Sequence, residues 1–405
     1  MEGKHLKKQV ENLVEELFDE IIRHRRHLHQ WPELSFEEEE TSNYVRGILN
    51  RAGIDYRSNV GGHGIVALIK GNLPGDAIVA LRADMDALPI QEENRVEYRS
   101  KNEGVMHACG HDVHTSSLIG ACLILNQLRN EFSGTVKCIF QPAEEKLPGG
   151  ASLMIKDGVL EDPKPESIIG QHVHPPLQVG KIGVKEGMYM ASTDEIYLTV
   201  RGKGGHAALP QDLVDPVILT ANILLALQQV VSRHGDPTIP TVLSFGKIWS
   251  SGGATNVIPG EVRLEGTFRT MNEPWREKAH KHIRQICEQV ATAHGGSVEL
   301  EIRNGYPFLL NDSSLTSRFW SAAVEYLGEE NVVELPIRMT GEDFAYFSQE
   351  MPACFYRLGT GNPEKGITSP IHTPTFNVDE DCLKVGMGVL AFSALRELQS
   401  QQERQ

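Results

Sequence analysis

The stretch Thr-Val-Lys-Cys-Ile-Phe-Gln-Pro-Ala-Glu-Glu at residues 135–145 decides the fold. It joins a β-branched, apolar run of strand length to a proline turn and two adjacent acids. Similar runs lie at 64–70, 77–82 and 167–173, and helical patterns lie between them at 114–130 and 150–157. Strands that alternate with helices are typical of a mainly parallel sheet with helices on both faces. We therefore predict an α/β fold.

Acidic and imidazole side chains follow three of these strands, at the point where each strand ends. They are Asp84 and Asp86 after the strand at 77–82, Glu144 and Glu145 after the strand at 135–140, and His172 at the end of the strand at 167–173. Because open α/β sheets bind ligands outside the carboxyl ends of their strands, we expect these groups at one edge.

The segment His-Ala-Cys-Gly-His-Asp-Val-His at 107–114 adds three histidines and a thiol in one loop. Zinc-type sites are built from Cys sulfur, His nitrogen and carboxylate oxygen. Of the pair Glu144 and Glu145, one carboxylate can bind a metal while its neighbour takes a proton from water, as metal-assisted hydrolysis requires. The alternative is a loop that is merely rich in histidine. The later histidine clusters favour the metal site.

The pattern changes at about residue 183. Strands are predicted at 194–202, 241–248, 261–270 and 297–303, with helices at 215–233 and 274–294. The order β-α-β-β-α-β is that of a ferredoxin-like unit. We predict an inserted domain at 183–303 and a discontinuous catalytic, metal-binding domain at 1–182 and 304–405.

The N-terminal region is predicted to be helical. Val10, Leu13, Val14, Leu17 and Ile21 recur at helical spacing. A second helix is predicted from Ser35 to Gly53, with Glu38 completing a capping box. The run of four glutamates at 37–40 is interpreted as a solvated helix start.

Composition excludes several functions. The net charge of -15 argues against a nucleic-acid partner or an anionic membrane surface. We expect no membrane-spanning segment, and the charged N-terminal residues predict no secretory signal. The cysteines show no paired spacing, so all except Cys109 are interpreted as reduced core residues. We therefore expect a cytoplasmic protein.

Seven motifs in order resemble those of a known family. They are Arg-Ala-Asp-Met-Asp-Ala-Leu-Pro at 82–89, His-Ala-Cys-Gly-His-Asp at 107–112, Gln-Pro-Ala-Glu-Glu at 141–145, Gly-Gln-His-Val-His-Pro at 170–175, Gly-Gly-His-Ala-Ala-Leu-Pro at 204–210, Gly-Glu-Asp-Phe at 341–344 and His-Thr-Pro-Thr-Phe at 372–376. The chain resembles the N-acyl-amino-acid amidohydrolases related to hippurate hydrolase and auxin-conjugate hydrolases. These form a branch of the aminoacylase and carboxypeptidase G metallopeptidase family, whose fold is that of dinuclear-metal exopeptidases.

The resemblance implies a centre of two divalent metal ions, zinc or manganese. The implied ligands are Cys109, His111, Glu145, His172 and His372. Cys109 stands where relatives outside this branch carry a bridging Asp. Asp84 stands where those relatives carry a ligand His, so its role is open between support for the site and direct ligation. Asp86 takes the place of the Asp that orients that ligand.

The resemblance also assigns the chemistry. Glu144 is the implied general base, and His206 and Asn256 are the candidate donors to the oxyanion. Arg269 is a candidate partner for the carboxylate of the substrate, against an ordinary ion pair. In the family the inserted domain acts as a lid and dimerisation domain, which implies a homodimer.

These expectations define a metallohydrolase that acts on a small-molecule acyl-amino acid. A carboxypeptidase or dipeptidase on the same centre is the second interpretation. A metal-poor binding protein that kept the fold is the third, and the presence of every ligand and of the base argues against it.

Overall fold

A computed structural model describes residues 2–404 of the chain. It forms two compact units. The first comprises Met1–Gly187, Leu310–Ile337 and Asp343–Gln405, and the second comprises Met188–Leu309 and Arg338–Glu342.

The first part of the chain carries four helices and six strands. These are α1 (Glu2–Gln30), α2 (Glu39–Arg51), β1 (Asp55–Val60), β2 (Gly64–Lys70), β3 (Leu73–Asp84), α3 (His111–Gln127), β4 (Ser133–Gln141), α4 (Gly150–Lys156), β5 (Ser167–Gln178) and β6 (Ile182–Val184).

The middle of the chain follows with β7 (Gly187–Met190), β8 (Asp194–Arg201), β9 (Gly205–His206), α5 (Pro216–Gln229), β10 (Thr241–Ser250), β11 (Val257–Ile258), β12 (Glu261–Thr270), α6 (Glu273–Ala293) and β13 (Ser297–Asn304). The last part contains β14 (Leu309–Asn311), α7 (Ser313–Leu327), β15 (Val332–Glu334), α8 (Ala345–Glu350), β16 (Ala353–Gly361) and α9 (Cys382–Arg404).

The first unit is built on an eight-stranded sheet in the order β1-β2-β4-β3-β5-β16-β6-β15. Its centre is parallel, since β3 pairs in parallel with β4 and β5, and β5 with β16. β1 and β2 add an antiparallel edge, and β1 was not predicted. The α/β class is confirmed, and the parallel centre brings the carboxyl ends of β3, β4 and β5 to one edge.

The predicted apolar positions of the first helix are buried in the core of this unit. Val10 and Ile21 are fully buried, and Val14 and Leu17 lie in the same cluster, whereas Leu13 is partly buried and packs against it. The core also contains residues of α3 and α9, two helices that pack on each other and on α1. These helices cover the sheet with apolar side chains and leave its carboxyl edge to polar residues.

The second unit contains a four-stranded sheet in the order β10-β12-β8-β13. The pairs between these strands are antiparallel, and the elements follow the order β-α-β-β-α-β. Leu219 and Ile223 of α5 share a core with Ile283 of α6 and with the inner face of the sheet. A separate two-stranded pair joins β9 to β11.

One helical segment of the second unit, Pro216–His234, is long and apolar enough to cross a membrane by length and composition. The prediction that the chain has no such stretch was therefore wrong. A single segment of this kind is weak evidence for a membrane, because the core helix of a globular domain passes the same test, and a third of this one is buried.

The connection between α1 and α2 differs from the prediction. α2 begins at Glu39, with Glu38 as the residue before it and no side-chain cap. The Ser35 hydroxyl donates to Asp86, so the predicted capping box does not form. Glu38 is fully buried, so the interpretation of residues 37–40 as a solvated run is wrong at this position.

Candidate metal centre

The residues predicted to bind metal lie at the carboxyl edge of the first unit's sheet. β3 ends at Asp84 and β4 at Gln141, so Asp86 and the pair Glu144–Glu145 lie just beyond these strands. His111 is the first residue of α3. His172 lies inside β5 rather than at its end, because that strand continues to Gln178.

Gly110 allows the Cys109–His111 loop to approach β5. Its φ of 83° is left-handed, and a Cβ at this position would lie 2.6 Å from Cγ2 of Val173. Only glycine meets both requirements without strain. The short approach brings Cys109 against the strand that carries His172.

Cys109 lies at the centre of the five predicted ligands. Its Sγ is 3.3 Å from Nε2 of His172 and 3.3 Å from Nε2 of His372. Glu145 Oε1 is 3.3 Å from Nε2 of His372 and 3.9 Å from Nε2 of His111. The donor atoms form two triads that share the thiol, Cys109–His111–His172 and Cys109–Glu145–His372, each within 4.8 Å.

Hydrogen bonds to the far nitrogens fix the histidine tautomers. His111 donates from Nδ1 to Asp86 Oδ1 at 3.1 Å, and His172 donates from Nδ1 to the carbonyl of Val173 at 2.8 Å. Both rings therefore present an unprotonated Nε2 to the cluster when neutral. This arrangement, in which the second nitrogen bonds a carboxylate or carbonyl, is typical of metal-binding histidines.

Two donor atoms of the cluster are buried without a hydrogen-bond partner. They are Nε2 of His111 and Oε1 of Glu145. Buried polar atoms are almost always paired, so an unpaired nitrogen and oxygen facing one another indicate a missing partner. A cation in each triad would satisfy these two atoms, and the Cys, His and carboxylate donors fit zinc-type ions.

The electrostatics of the cluster also call for positive charge. Burial raises the pKa of the Cys109 thiol well above its usual value, and the carboxylates of Glu145, Glu144 and Asp84 raise it further. Burial lowers the pKa of His111, but Asp84, Asp86 and Glu145 outweigh it and raise this pKa to about 10. Protons on these groups stand in for the charge that a divalent cation provides.

Asp84 contacts groups beside the two triads. Its Oδ1 accepts from His114 Nδ1 at 2.5 Å, and its Oδ2 accepts from Arg82 Nη1 at 2.7 Å. Oδ2 is 3.8 Å from His111 Nε2. His114 also accepts the Val173 N–H at its Nε2. These contacts favour the supporting role for Asp84.

Glu144 lies next to the cluster on a strained loop. It is 6% exposed, and one of its carboxylate oxygens lies within 4.8 Å of a donor atom of His111 and of a donor atom of Glu145. The N–H of Asp343 points to its Oε1 at 3.4 Å. Ala143, directly before it, has a left-handed φ of 51°. Non-glycine residues in this conformation cluster at functional sites.

Helix α1 contributes a buried network that the sequence did not reveal. His29 is 1% exposed, and its Nδ1 lies 2.8 Å from Asp112 Oδ2. Arg25 donates to the same oxygen at 2.8 Å. Asp112 follows His111 directly, so this network anchors the start of α3. The i,i+4 spacing of Arg25 and His29 on one helix face was an available signal.

The predicted substrate-binding residues lie in the second unit. His206 and Asn256 are both exposed and lie close together, because the Ala207 N–H donates to the Asn256 carbonyl at 3.0 Å. Arg269 lies on β12 in the four-stranded sheet and donates to the Met339 carbonyl at 3.2 Å. The structure thus brings His206 and Asn256 together and places Arg269 on another sheet.

Comparison with known proteins identifies the family. The model of Peptidase family M20/M25/M40 matches residues 80–396. The chain belongs to this family, which confirms the resemblance predicted from the motifs.

Two relatives and one solved structure illustrate the range of similar proteins. The N-acyl-L-amino acid amidohydrolase of Geobacillus stearothermophilus is 43% identical, over 75% of this chain and 81% of its own. Thermostable carboxypeptidase 2 of Saccharolobus solfataricus is 37% identical, over 96% of this chain and 98% of its own. The Bacillus subtilis YXEP protein, described as a dinuclear metal binding peptidase, has a TM-score of 0.80 and 36% identity, over 95% of this chain and 99% of its own.

Proposed function

We propose that this chain is a metal-dependent amidohydrolase that cleaves the amide bond of N-acyl-L-amino acids. The observation that carries the proposal is the pair of donor triads sharing the Cys109 thiol, with the Glu144 carboxylate beside them. The amidohydrolase relative supports this substrate class, and the dinuclear relative supports two ions.

Each triad has the donors to hold one divalent cation. Cys109, His111 and His172 would hold the first, and Cys109, Glu145 and His372 the second. When bound, such ions polarise a carbonyl and lower the pKa of water from ~15.7 to about 7. Sulfur and imidazole donors favour zinc, and manganese is the second candidate.

Glu144 moves the proton in this mechanism. Its carboxylate accepts a proton from the attacking water and transfers it to the nitrogen of the leaving amine. The left-handed turn at Ala143 lets adjacent carboxylates take different roles, with Glu145 facing the donor cluster. Burial of Glu144 excludes bulk water that would otherwise compete for the proton.

Three residues of the second unit are proposed to bind the substrate. His206 and Asn256 carry side chains that can donate hydrogen bonds to the oxyanion that develops from the amide carbonyl. Their proximity on β9 and the turn before β11 supports a shared role. Arg269 is proposed to bind the substrate's free carboxylate, which a guanidinium can hold with two parallel hydrogen bonds.

The second unit is also proposed to form a homodimer. α5 exposes Ile218 and Leu225, which are 58% and 72% exposed, and the edge strand β10 exposes Ile248 and Trp249. Ile218 and Leu225 are seven residues apart and so lie on one face of α5, and an exposed apolar face of this kind favours an interaction surface. Sedimentation of the wild type and of Leu225→Lys tests this, since a charge in the interface favours the monomer.

A cytoplasmic location is proposed as well. All six cysteines are free and buried. Unpaired thiols are typical of proteins in reducing compartments.

A carboxypeptidase on the same centre is the second candidate, and the similarity to thermostable carboxypeptidase 2 favours it. Metal-stripped protein reconstituted with zinc or manganese, assayed on N-acyl-amino acids and on matched dipeptides, separates the two. We expect metal-dependent hydrolysis of acyl-amino acids with a kcat/KM at least tenfold (about 1.4 kcal/mol) above that of dipeptides. Preference for dipeptides would establish the second candidate, and a metal-loaded protein inactive on both would overturn the proposal.

A further inference from the structure

The segment between α1 and α2 directs two polar side chains, Ser35 and Glu38, toward the loops that carry Asp86 and Glu144. Ser35 and Glu38 have the spacing of a capping box, yet neither bonds the helix as that motif requires. Ser35 Oγ donates to Asp86 Oδ2 at 2.6 Å, and the same oxygen accepts the Glu145 N–H at 2.9 Å. Ser35 thus contacts Asp86, the hydrogen-bond partner of His111, and Asp86 in turn holds the backbone of Glu145.

Glu38 makes the more unusual contact. Its Oε1 accepts the Ala143 N–H at 2.7 Å and the Phe36 N–H at 3.0 Å. The side chain is fully buried, and its second oxygen has no hydrogen-bond partner. A buried carboxylate is costly, so its retention at the back of a catalytic loop needs a reason beyond helix capping.

Ala143 supplies that reason. Its left-handed φ of 51° directs the chain from β4 into Glu144, and alanine does not adopt this conformation without support. Glu38 holds the N–H of this residue, and the Gly150 N–H donates to its carbonyl at 2.8 Å. Both the N–H and the carbonyl of Ala143 are thus hydrogen-bonded, the N–H by the side chain of Glu38.

We propose that Glu38 is a positioning residue: by accepting the Ala143 N–H it keeps this residue left-handed and thereby aims Glu144 at the metal centre. Glu145 has a further anchor of its own, because its N–H donates to Asp86 Oδ2 at 2.9 Å. Loss of Glu38 therefore affects proton transfer more than metal binding. This role rests on the proposed function of Glu144.

Three substitutions separate hydrogen-bond reach from charge. Glu38→Gln keeps an acceptor in place, because its amide turns its oxygen toward the two N–H donors. Glu38→Asp keeps the charge but is one methylene too short to reach Ala143. Glu38→Ala removes both. Glu37→Gln is the matched control, since Glu37 is the exposed neighbour in the same run.

The first measurement is kcat and KM per bound metal on an acyl-amino acid. We expect kcat to fall on the order of 10–100-fold in the Asp and Ala variants, consistent with loss of a general base's alignment. KM and metal content should stay within threefold, and Glu38→Gln should match the wild type. Normal kcat in the Asp variant, or a defect in the Gln variant equal to that of Asp, would overturn the proposal. A purely structural role would lower thermal stability and leave kcat per folded, metal-loaded site unchanged.

The second measurement does not depend on activity. Hydrogen exchange of the peptide covering 142–150 should be faster in Glu38→Asp than in the wild type, and Glu38→Gln should restore the slow rate. If the wild type hydrolysed no acyl-amino acid but the exchange pattern held, the proposed function would fail and the positioning role of Glu38 for this loop would stand. Equal exchange in all four variants would refute the positioning role itself.

Discussion

In the first unit, Cys109, His111 and His172 are at most 5% exposed, and the far nitrogen of each of these imidazoles is bonded to a carboxylate or carbonyl. In the second unit, His206 and Asn256 are exposed. Burial and hydrogen bonds thus hold the first set in place, as the proposed metal centre requires, since misplacing a donor by a fraction of an ångström weakens coordination. The second set lacks such burial, and its proposed role is to bind a substrate rather than a metal.

His372 shows that the contrast is not absolute. Its side chain is 49% exposed, yet its backbone has a left-handed φ of 60° and its N–H donates to the Ala108 carbonyl at 2.8 Å. The bond ties His372 to the Cys109 loop. This exposed candidate ligand thus gains its position from its backbone, whereas the rings of His111 and His172 are held by hydrogen bonds to their far nitrogens.

The largest effect is expected for Glu144 and Glu145, two adjacent carboxylates of the first unit whose substitution should have different consequences. Glu144→Gln should retain its metals and lose on the order of 10²–10⁴-fold in kcat, because only proton transfer is affected. Glu145→Gln should lose metal as well. Elemental analysis beside turnover measures both. Equal metal loss in the two variants would mean that the roles are wrongly divided.

The next effect concerns the second unit. His206→Ala should lower kcat by about 10²–10³-fold, the usual effect of removing one oxyanion donor, with metal content unchanged. His294→Ala is the control, since His294 is an exposed histidine of the same unit. Loss of metal in His206→Ala would break the distinction between the two sets of residues.

A smaller effect is expected for the residue that orients His111. Asp86→Asn should weaken metal binding about 10–100-fold, as is usual for partners of metal ligands. Asp76→Asn, at the exposed opposite end of β3, is the control. A competitive chelator titration measures the affinity, and an unchanged value in Asp86→Asn would show that the hydrogen bond to His111 does not support the site.

The last effect is on stability and follows from Glu38. Burial, reinforced by Asp86, raises the pKa of Glu38 from 4.5 to about 7. A raised pKa contributes stability that is fully present below about pH 4.5 and lost as the pH rises through about 7. The contribution is on the order of 3 kcal/mol at most. Glu38→Gln cannot titrate at this position. The melting temperature of the variant minus that of the wild type should therefore increase between pH 5 and pH 8. A constant difference would exclude the shifted carboxyl group.

The sequence predicted that the acidic and imidazole side chains of the candidate metal centre would converge, because their convergence follows from topology. Parallel strands bring their carboxyl ends to one edge, so acids and histidines placed after separate strands must meet. Topology placed Asp84, Glu145 and His172 at this edge, whereas their roles there were implied by the family resemblance. Helix α1 could also be predicted from the sequence, since Val10 and Ile21 recur at helical spacing and both are buried.

The supporting residues could not be predicted in the same way. Ser35 and Glu38 satisfy a local helix-start pattern, but their hydrogen bonds go to Asp86 and Ala143, which lie 51 and 105 residues away. His29 likewise reaches Asp112 across 83 residues. Local spacing describes only local partners, and a tertiary partner that offers a better-buried hydrogen bond outweighs it. The exposed residues of the second unit carry no burial pattern that would identify their role.

The central claim is that Cys109 joins two metal ions in one centre. The direct measurement is metal stoichiometry and the cobalt(II) absorption spectrum of the wild type and of Cys109→Ser. The wild type should bind two ions per chain and show a thiolate-to-cobalt band. Cys109→Ser should lose that band, because a hydroxyl is a poorer donor than a thiolate. Its metal affinity should fall by more than roughly 100-fold, which is the largest loss expected when a hydrogen-bond partner of a metal ligand, such as Asp86, is removed. Two tightly bound ions in the serine variant, with an unchanged spectrum, would contradict the account.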